Sequence, residues 1–248
     1  MSGILYGIGT GPGDPELLTI KAVRIIKECD MIALPVSQVS FGTEPVLLEP
    51  KNKKREKFLS GCTAYNIVSP MVPEIQQKEI LFVPMPMIKN KEELKKVHDI
   101  SAEKIIELIK EGKKVGFLTL GDPTIYSTYL YLHNRVAKKG IPTQIICGIP
   151  SFCAAAARLN QGLAENKEQL HIIPASYGVG EALKLSGTKV LMKSGKKLKE
   201  VTEEVAKTGQ KMQMVEDCGM KTEKVYHSIA EMPQTGSYYS LIMVKGES

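Results

Sequence analysis

The 248-residue sequence contains no tryptophan, and aromatic residues make up only 6% of it. Arginine is scarce too, represented by Arg24, Arg55, Arg135 and Arg158. Surfaces that read nucleic acid rely on arginine forks and aromatic stacking platforms, so no nucleic-acid partner is expected. Long hydrophobic runs are also missing. The longest weakly polar stretch, residues 145–157, falls short of the roughly 18 apolar residues of a spanning helix, and no membrane association is expected. The N-terminus enters a strand pattern at once, with no basic region and no cleavage site. That points to a cytoplasmic location.

The five cysteines, Cys29, Cys62, Cys147, Cys153 and Cys218, are dispersed, and no C-x-x-C pair occurs. This argues against a disulfide framework and a thiolate zinc site, and the cysteines read as small buried hydrophobes. His98, His133, His171 and His227 stand apart with no H-x-x-x-H spacing, so they read as core or surface histidines and no metal is expected. No P-loop and no Ser-His-Asp or Cys-His arrangement is visible.

What is present is ordinary for a globular chain: 43% hydrophobic, 24% charged, with 33 basic against 27 acidic residues for a net charge of +6. The lysine excess suits either an anionic small molecule or a solvated surface. Lysine-rich residues 184–199 read as a solvated helix face, and the cluster at 51–57 as a loop. The eleven methionines read as an adaptable core.

Short apolar runs at residues 4–8, 31–34, 80–83, 115–120 and 143–147 read as buried strands. Helical spacing separates them at 15–29, 92–110 and 125–139. Strands apolar throughout, alternating with amphipathic helices, predict a five-stranded parallel sheet covered on both faces. Beyond residue 150 the spacing tightens. Strands are expected at 170–173, 189–192, 211–215 and 238–244, with another near Val225, and helices at 154–158 and 196–207. The expectation is an α/β protein of two α/β domains, 1–150 with the parallel sheet and 151–248 with a mixed sheet, and a ligand cleft between them.

Gly13-Asp14-Pro15 and Gly121-Asp122-Pro123 each follow a strand and precede a helical pattern. Glycine permits the tight turn, aspartate accepts free N–H groups as an N-cap, and proline starts a helix where its missing N–H costs nothing. Such turns at carboxyl ends of parallel strands are where open α/β sheets bind ligands. The opening run, Gly7-Ile8-Gly9-Thr10-Gly11-Pro12-Gly13-Asp14-Pro15, looks like a dinucleotide fingerprint. However, Pro12 and Pro15 interrupt it and Asp14 puts a carboxylate where a phosphate would lie. A nicotinamide cofactor would also need an acid ending the second strand, and Leu34-Pro35-Val36-Ser37 supplies none. The loop suits a ligand that is not a phosphate.

Tyr6-Gly7-x-Gly9-x-Gly11-Pro12-Gly13-Asp14-Pro15-Glu16-Leu17-Leu18-Thr19, Gly121-Asp122-Pro123-x-x-Tyr126-Ser127 and Gly148-Ile149-Pro150-Ser151 resemble the tetrapyrrole methylase family over essentially the whole chain. The resemblance implies methyl transfer from S-adenosyl-L-methionine to a carboxylate-rich tetrapyrrole, and a homodimer. It implies cofactor contacts at Leu120, Gly121, Asp122, Ile125, Pro150, Ser151, Met192 and Cys218, and a substrate-side loop carrying Gly9, Pro12, Gly13 and Asp14. The family often has Thr-Ala where this chain has Pro150-Ser151, and Gly where it has Cys218, so contacts there would run through the backbone. Within the family, Leu5-Tyr6-Gly7, Ala33-Leu34-Pro35 and the long segment 37–60 resemble the branch acting at carbon 20 of precorrin-2, with another tetrapyrrole position, on uroporphyrinogen or another precorrin, as the alternative. No catalytic side chain is implied: the sulfonium is an activated donor, and rate would come from in-line alignment and exclusion of water.

Overall fold

The computed structural model describes residues 3–246. The chain separates into two compact units, Met1–Ile149 and Pro150–Ser248, each with its own sheet and core.

The first unit runs β1 (Ile4–Gly9), α1 (Ile20–Glu28), β2 (Met31–Val36), β3 (Val46–Leu48), α2 (Lys54–Leu59), α3 (Thr63–Val68), β4 (Glu79–Pro84), α4 (Lys91–Lys110), β5 (Lys114–Thr119), α5 (Tyr129–Lys138) and β6 (Thr143–Ile146). Its sheet has the order β3-β4-β2-β5-β1-β6. All pairs are parallel except β3 with β4. The strands are apolar throughout because both faces are covered. Ile32, Leu34, Ile80 and Phe82 pack on one side with α1, α2 and α3. Met31, Ala33, Leu81 and Val83, one residue out of phase, pack on the other with α4 and α5. The helices have local start signals. Thr19 Oγ1 accepts the Ala22 N–H to cap α1, and Asn90 accepts the Glu92 and Glu93 N–H groups to cap α4.

The second unit contains α6 (Ser151–Arg158), β7 (Leu170–Pro174), α7 (Gly180–Leu183), β8 (Thr188–Met192), α8 (Leu198–Thr208), β9 (Lys211–Glu216), β10 (Lys224–Tyr226) and β11 (Leu241–Lys245). The sheet order is β10-β9-β11-β8-β7, parallel only between β7 and β8. α8 ends at Gly209, whose φ of 69° is the left-handed conformation that glycine adopts without penalty. Its Leu198, Val201 and Val205 pack on Leu191, Met212, Met214 and Ile242.

The α/β class is as expected, but the first sheet has six strands rather than five. β3 arises inside the segment 37–60, where no strand was expected; only three residues pair and at one edge, too short a run to show periodicity. The basic cluster at 51–57 is not a loop: α2 begins at Lys54 and turns Arg55 inward, where it is 3% exposed. The Arg55 Nη2 donates to Ile75 O, while Nε and Nη1 have no hydrogen-bond partner. Neither Gly-Asp-Pro corner caps the α-helix expected after it. Asp14 accepts the Glu16 N–H and opens a 3₁₀ turn over Pro15–Leu17, with α1 starting at Ile20 under Thr19. After Asp122 the next helix begins only at Tyr129. The last strand begins at Leu241 rather than 238. Gly7 and Gly9 belong to β1, not to a loop.

Cys29, at the end of α1, is 2% exposed. Burial pushes its thiol pKa up from 9.0 to about 12, with Lys78 the main opposing influence. In the unfolded chain the thiol ionises near its ordinary value. The neutral thiol's contribution is therefore complete below pH 9 and is lost as pH climbs towards 12. Unfolding free energy is expected to fall by about 2 kcal/mol more in the parent than in Cys29→Ala between pH 8 and 10.5. Urea titrations at the two pH values check this, and equal declines would refute it.

Candidate functional site

The carboxyl ends of β1, β5 and β6 meet backbone against backbone. Gly9 pairs with Thr119 in the sheet register. Thr10 donates to Thr119 O from both its N–H (2.9 Å) and its hydroxyl (3.2 Å). Gly11 and Gly121 exchange two bonds, Gly11 N–H to Gly121 O at 3.2 Å and Gly121 N–H to Gly11 O at 2.7 Å. Both glycines sit at positive φ, 73° and 70°. Gly148 completes the junction: a Cβ there would lie 2.2 Å from Gly121 O and 2.9 Å from the Gly9 Cα. These glycines permit three strand ends to approach closer than side chains would allow.

Asp122 straps this junction. Its Oδ1 accepts the Thr124 N–H (2.8 Å) and hydroxyl (2.5 Å), and its Oδ2 accepts the Gly148 N–H (2.9 Å). The residue is 7% exposed. Asp14 is only half-buried and accepts the Glu16 N–H at 2.9 Å. Thr19, while capping α1, donates its hydroxyl to Cys147 O at 3.4 Å. The loop after β1 is thereby tied to the loop after β6.

Beside the junction lie backbone groups that the fold does not use. Among the described residues, neither Leu120 nor Ile149 forms a backbone hydrogen bond, and both are half-buried. Donors and acceptors in such positions require water or a ligand. Ile125 adds a half-buried apolar side chain, and Tyr126 follows at φ 48° with 44% exposure.

In the second unit, Met192 ends β8 and is followed by Lys193 at φ 60°, a left-handed conformation uncommon outside glycine. Burial pushes the Lys193 ammonium pKa down. The hydroxyl of the next residue, Ser194, is buried without a hydrogen-bond partner. Cys218 follows β9 in a loop held by three carboxylates. Glu216 accepts the Ser237 N–H (2.7 Å), the Ser240 hydroxyl (3.1 Å) and the Tyr226 hydroxyl (3.1 Å). Asp217 accepts the hydroxyls of Ser237 (2.6 Å) and Thr222 (2.8 Å). Glu223 takes the Gly219 N–H at 2.8 Å and pairs with Arg158 of α6. Burial alone would raise the Glu223 carboxyl pKa, but the Gly219 N–H, Arg158 and Cys218 together hold it below its ordinary value.

Leu120, Gly121, Asp122 and Ile125 therefore cluster after β5, and Gly9 sits in the same junction, its α-carbon spent on packing. Pro12 and Gly13 are buried in the loop between β1 and α1, with Asp14 at its rim. In the second unit, Pro150 and Ser151 open α6 while Met192 and Cys218 end β8 and follow β9. Sequence reasoning left out Gly148, Ile149, Thr10 and Thr119 as members of the junction. It also left out Glu216 and Glu223, which reach partners as far as 24 and 65 residues away. Gly148-Ile149 carried a signal as part of the run ending in Pro150-Ser151, and Thr10 as part of the opening glycine-rich run. Among the described residues no His, Cys, Asp or Glu group is arranged to hold a metal ion, and no helix is long and apolar enough to cross a membrane.

A profile of the tetrapyrrole (corrin/porphyrin) methylases matches residues 4–233. A probable cobalt-precorrin-2 C(20)-methyltransferase of Methanocaldococcus jannaschii is 37% identical over 77% of this chain and 72% of its own length. The cobalt-precorrin-2 C(20)-methyltransferase of Salmonella typhimurium is 32% identical over 78% and 73%. The precorrin-2 C(20)-methyltransferase of a Sinorhizobium species is 27% identical over 99% and 98%. Among solved structures, a cobalt precorrin-4 methyltransferase superposes with a TM-score of 0.69 at 18% identity, covering 98% of this chain and 94% of its own. The uroporphyrin-III C-methyltransferase of Thermus thermophilus, complexed with S-adenosylhomocysteine, superposes at 0.65 and 17%, covering 98% and 97%. At these identities the two structures attest the fold.

Proposed function

This chain belongs to the tetrapyrrole (corrin/porphyrin) methylase family, and from that premise we propose that it is the S-adenosylmethionine-dependent methyltransferase acting on carbon 20 of precorrin-2 in cobalamin biosynthesis, with the cobalt-containing form as its substrate. One structural observation carries the methyl-donor part of this reading. The strand ends of β1, β5 and β6 meet in a closely packed, hydrogen-bonded junction that leaves the backbone groups of Leu120 and Ile149 without backbone partners beside it. Unpaired backbone N–H and C=O groups can donate to and accept from a ligand that carries both an amino-acid end and a nucleoside. The carboxylate of Asp122 is already engaged by three donors. The substrate assignment rests on the relatives at 37% and 32% identity, both named for cobalt-precorrin-2.

S-adenosylmethionine supplies the methyl group already activated as a sulfonium, and no covalent intermediate with the protein is needed. The work left to the chain is to bind, orient and exclude water. We assign donor contacts to Leu120, Gly121, Asp122, Ile125, Pro150, Ser151, Met192 and Cys218, that of Asp122 through its backbone because its carboxylate is engaged, with Gly9, Pro12, Gly13 and Asp14 on the acceptor side. Asp14 keeps one carboxylate oxygen outside its turn bond, free to take part on the acceptor side. The reading includes a homodimer, to be checked by sedimentation.

Incubation with methyl-labelled S-adenosylmethionine and either precorrin-2 or cobalt-precorrin-2 tests the assignment. A single methyl is expected, located at carbon 20 by carbon NMR, and formed faster on the cobalt-containing substrate. Exclusive methylation of the cobalt-free compound would overturn the choice of substrate. A methyl group at another carbon would overturn the position.

A further inference from the structure

Residues 147–150 belong to no helix or strand, yet they connect β6 to α6 and include Ile149, whose backbone groups, like those of Leu120, make no backbone hydrogen bond. Two things locate the middle of this run. One is the contact of Gly148 with Gly9 and Gly121. The other is the bond from the Gly148 N–H to Asp122, 26 residues away. The same carboxylate holds the Thr124 N–H and hydroxyl, and so the turn that follows Leu120. Hydrogen bonds to a carboxylate are stronger than neutral ones, and a buried N–H deprived of its acceptor costs the full desolvation of that group. We propose that Asp122 is a positioning residue of the methyl-donor site. By bridging the loops after β5 and β6, it holds the backbone of Leu120 and Ile149 in mutual register before the ligand arrives. The identity of the ligand rests on the methyltransferase reading; the bridge itself does not.

Asparagine at this position separates the two halves of the bridge. Its amide oxygen can still accept from Thr124, but its NH₂ would face the Gly148 N–H, donor against donor. Thr124→Ala removes only the hydroxyl bond on the turn side. In calorimetric titration with S-adenosylhomocysteine, Asp122→Asn is expected to weaken binding about 10-fold or more, and Thr124→Ala by less than about 3-fold. Parent-like affinity in Asp122→Asn, with or without a lowered melting temperature, would overturn the proposal, since the carboxylate would then be structural only. Equal losses in the two variants would also overturn it, by placing the effect in the turn.

Should Asp122→Asn not fold, amide exchange at Gly148 in the parent decides. Protection already present without ligand, and changed less than about 3-fold by S-adenosylhomocysteine, supports a preformed bridge. An amide protected only in the ligand's presence refutes it. If the parent does not bind S-adenosylhomocysteine at all, the donor reading fails. The Gly148 exchange measurement then still tests the bridge by itself.

Discussion

Alanine at position 148 is expected to destabilise the chain by about 3 kcal/mol and to abolish measurable binding of S-adenosylhomocysteine. The added Cβ would sit 2.2 Å from Gly121 O and 2.9 Å from both the Cα and the carbonyl carbon of Gly9. Inserting a methyl group into a packed site costs about 1–3 kcal/mol. The upper end applies because the atoms in the way are backbone of two neighbouring strand ends, with no rotamer into which to retreat. Any relief must come from separating β6 from β1 and β5, which moves Leu120 and Ile149 apart. Gly140→Ala is the matching control. Gly140 has φ 71° but nothing within 4 Å of its Cβ position, so only the cost of a left-handed alanine, about 1 kcal/mol, is expected there. Chemical denaturation of both variants with ligand titration checks the pair. A Gly148→Ala protein as stable as Gly140→Ala would show that the junction can open.

The second large effect lies under the same strand. Tyr129 begins α5, is fully buried, and packs on Phe117 with ring centroids 5.6 Å apart. Its hydroxyl lies 3.0 Å from His133 Nδ1. Burial pushes the phenol pKa up, with the Gly7 N–H opposing. Tyr129→Ala is expected to cost about 4 kcal/mol, in the range for truncating a large buried aromatic. Gly7 is what makes room for this ring, since a Cβ at Gly7 would fall 2.0 Å from it. Gly7→Ala alone should therefore cost about 3 kcal/mol by overpacking. In the Tyr129→Ala background the same change meets a vacated space, so the double variant should lose at least 1 kcal/mol less than the sum of the singles. Strict additivity in urea unfolding would refute the contact.

These two experiments also separate what could be read along the chain from what could not. The buried strands and their order of occurrence were legible because apolar runs such as Ile80-Leu81-Phe82-Val83 are local, and both faces of each strand report burial. The three residues of β3 were not, being too few to show a period. The two Gly-Asp-Pro corners were legible as turns, but their aspartates were expected to do the same thing. Asp14 caps the 3₁₀ turn beside it. Asp122 holds its own turn and also a glycine 26 residues on, a partner that no local pattern announces. The same is true of Glu216 and Glu223, whose bonds build the loop around Cys218. Gly7 and Gly9 illustrate the converse. They were visible as part of a glycine-rich loop, yet in the sheet they are strand residues whose missing side chains admit a tyrosine ring and a neighbouring backbone.

By itself, the order of residues determined the α/β alternation, the turns at the strand ends and the family motifs, because each is set by neighbours within a few positions. Only the tertiary structure decided that β1, β5 and β6 join at Gly9, Gly121 and Gly148, that Asp122 spans the joint, and that Leu120 and Ile149 are left with backbone groups to offer. Hydrogen-bond partners and close approaches between distant segments exist only once the strands are ordered side by side, and that ordering is a property of the packed sheet.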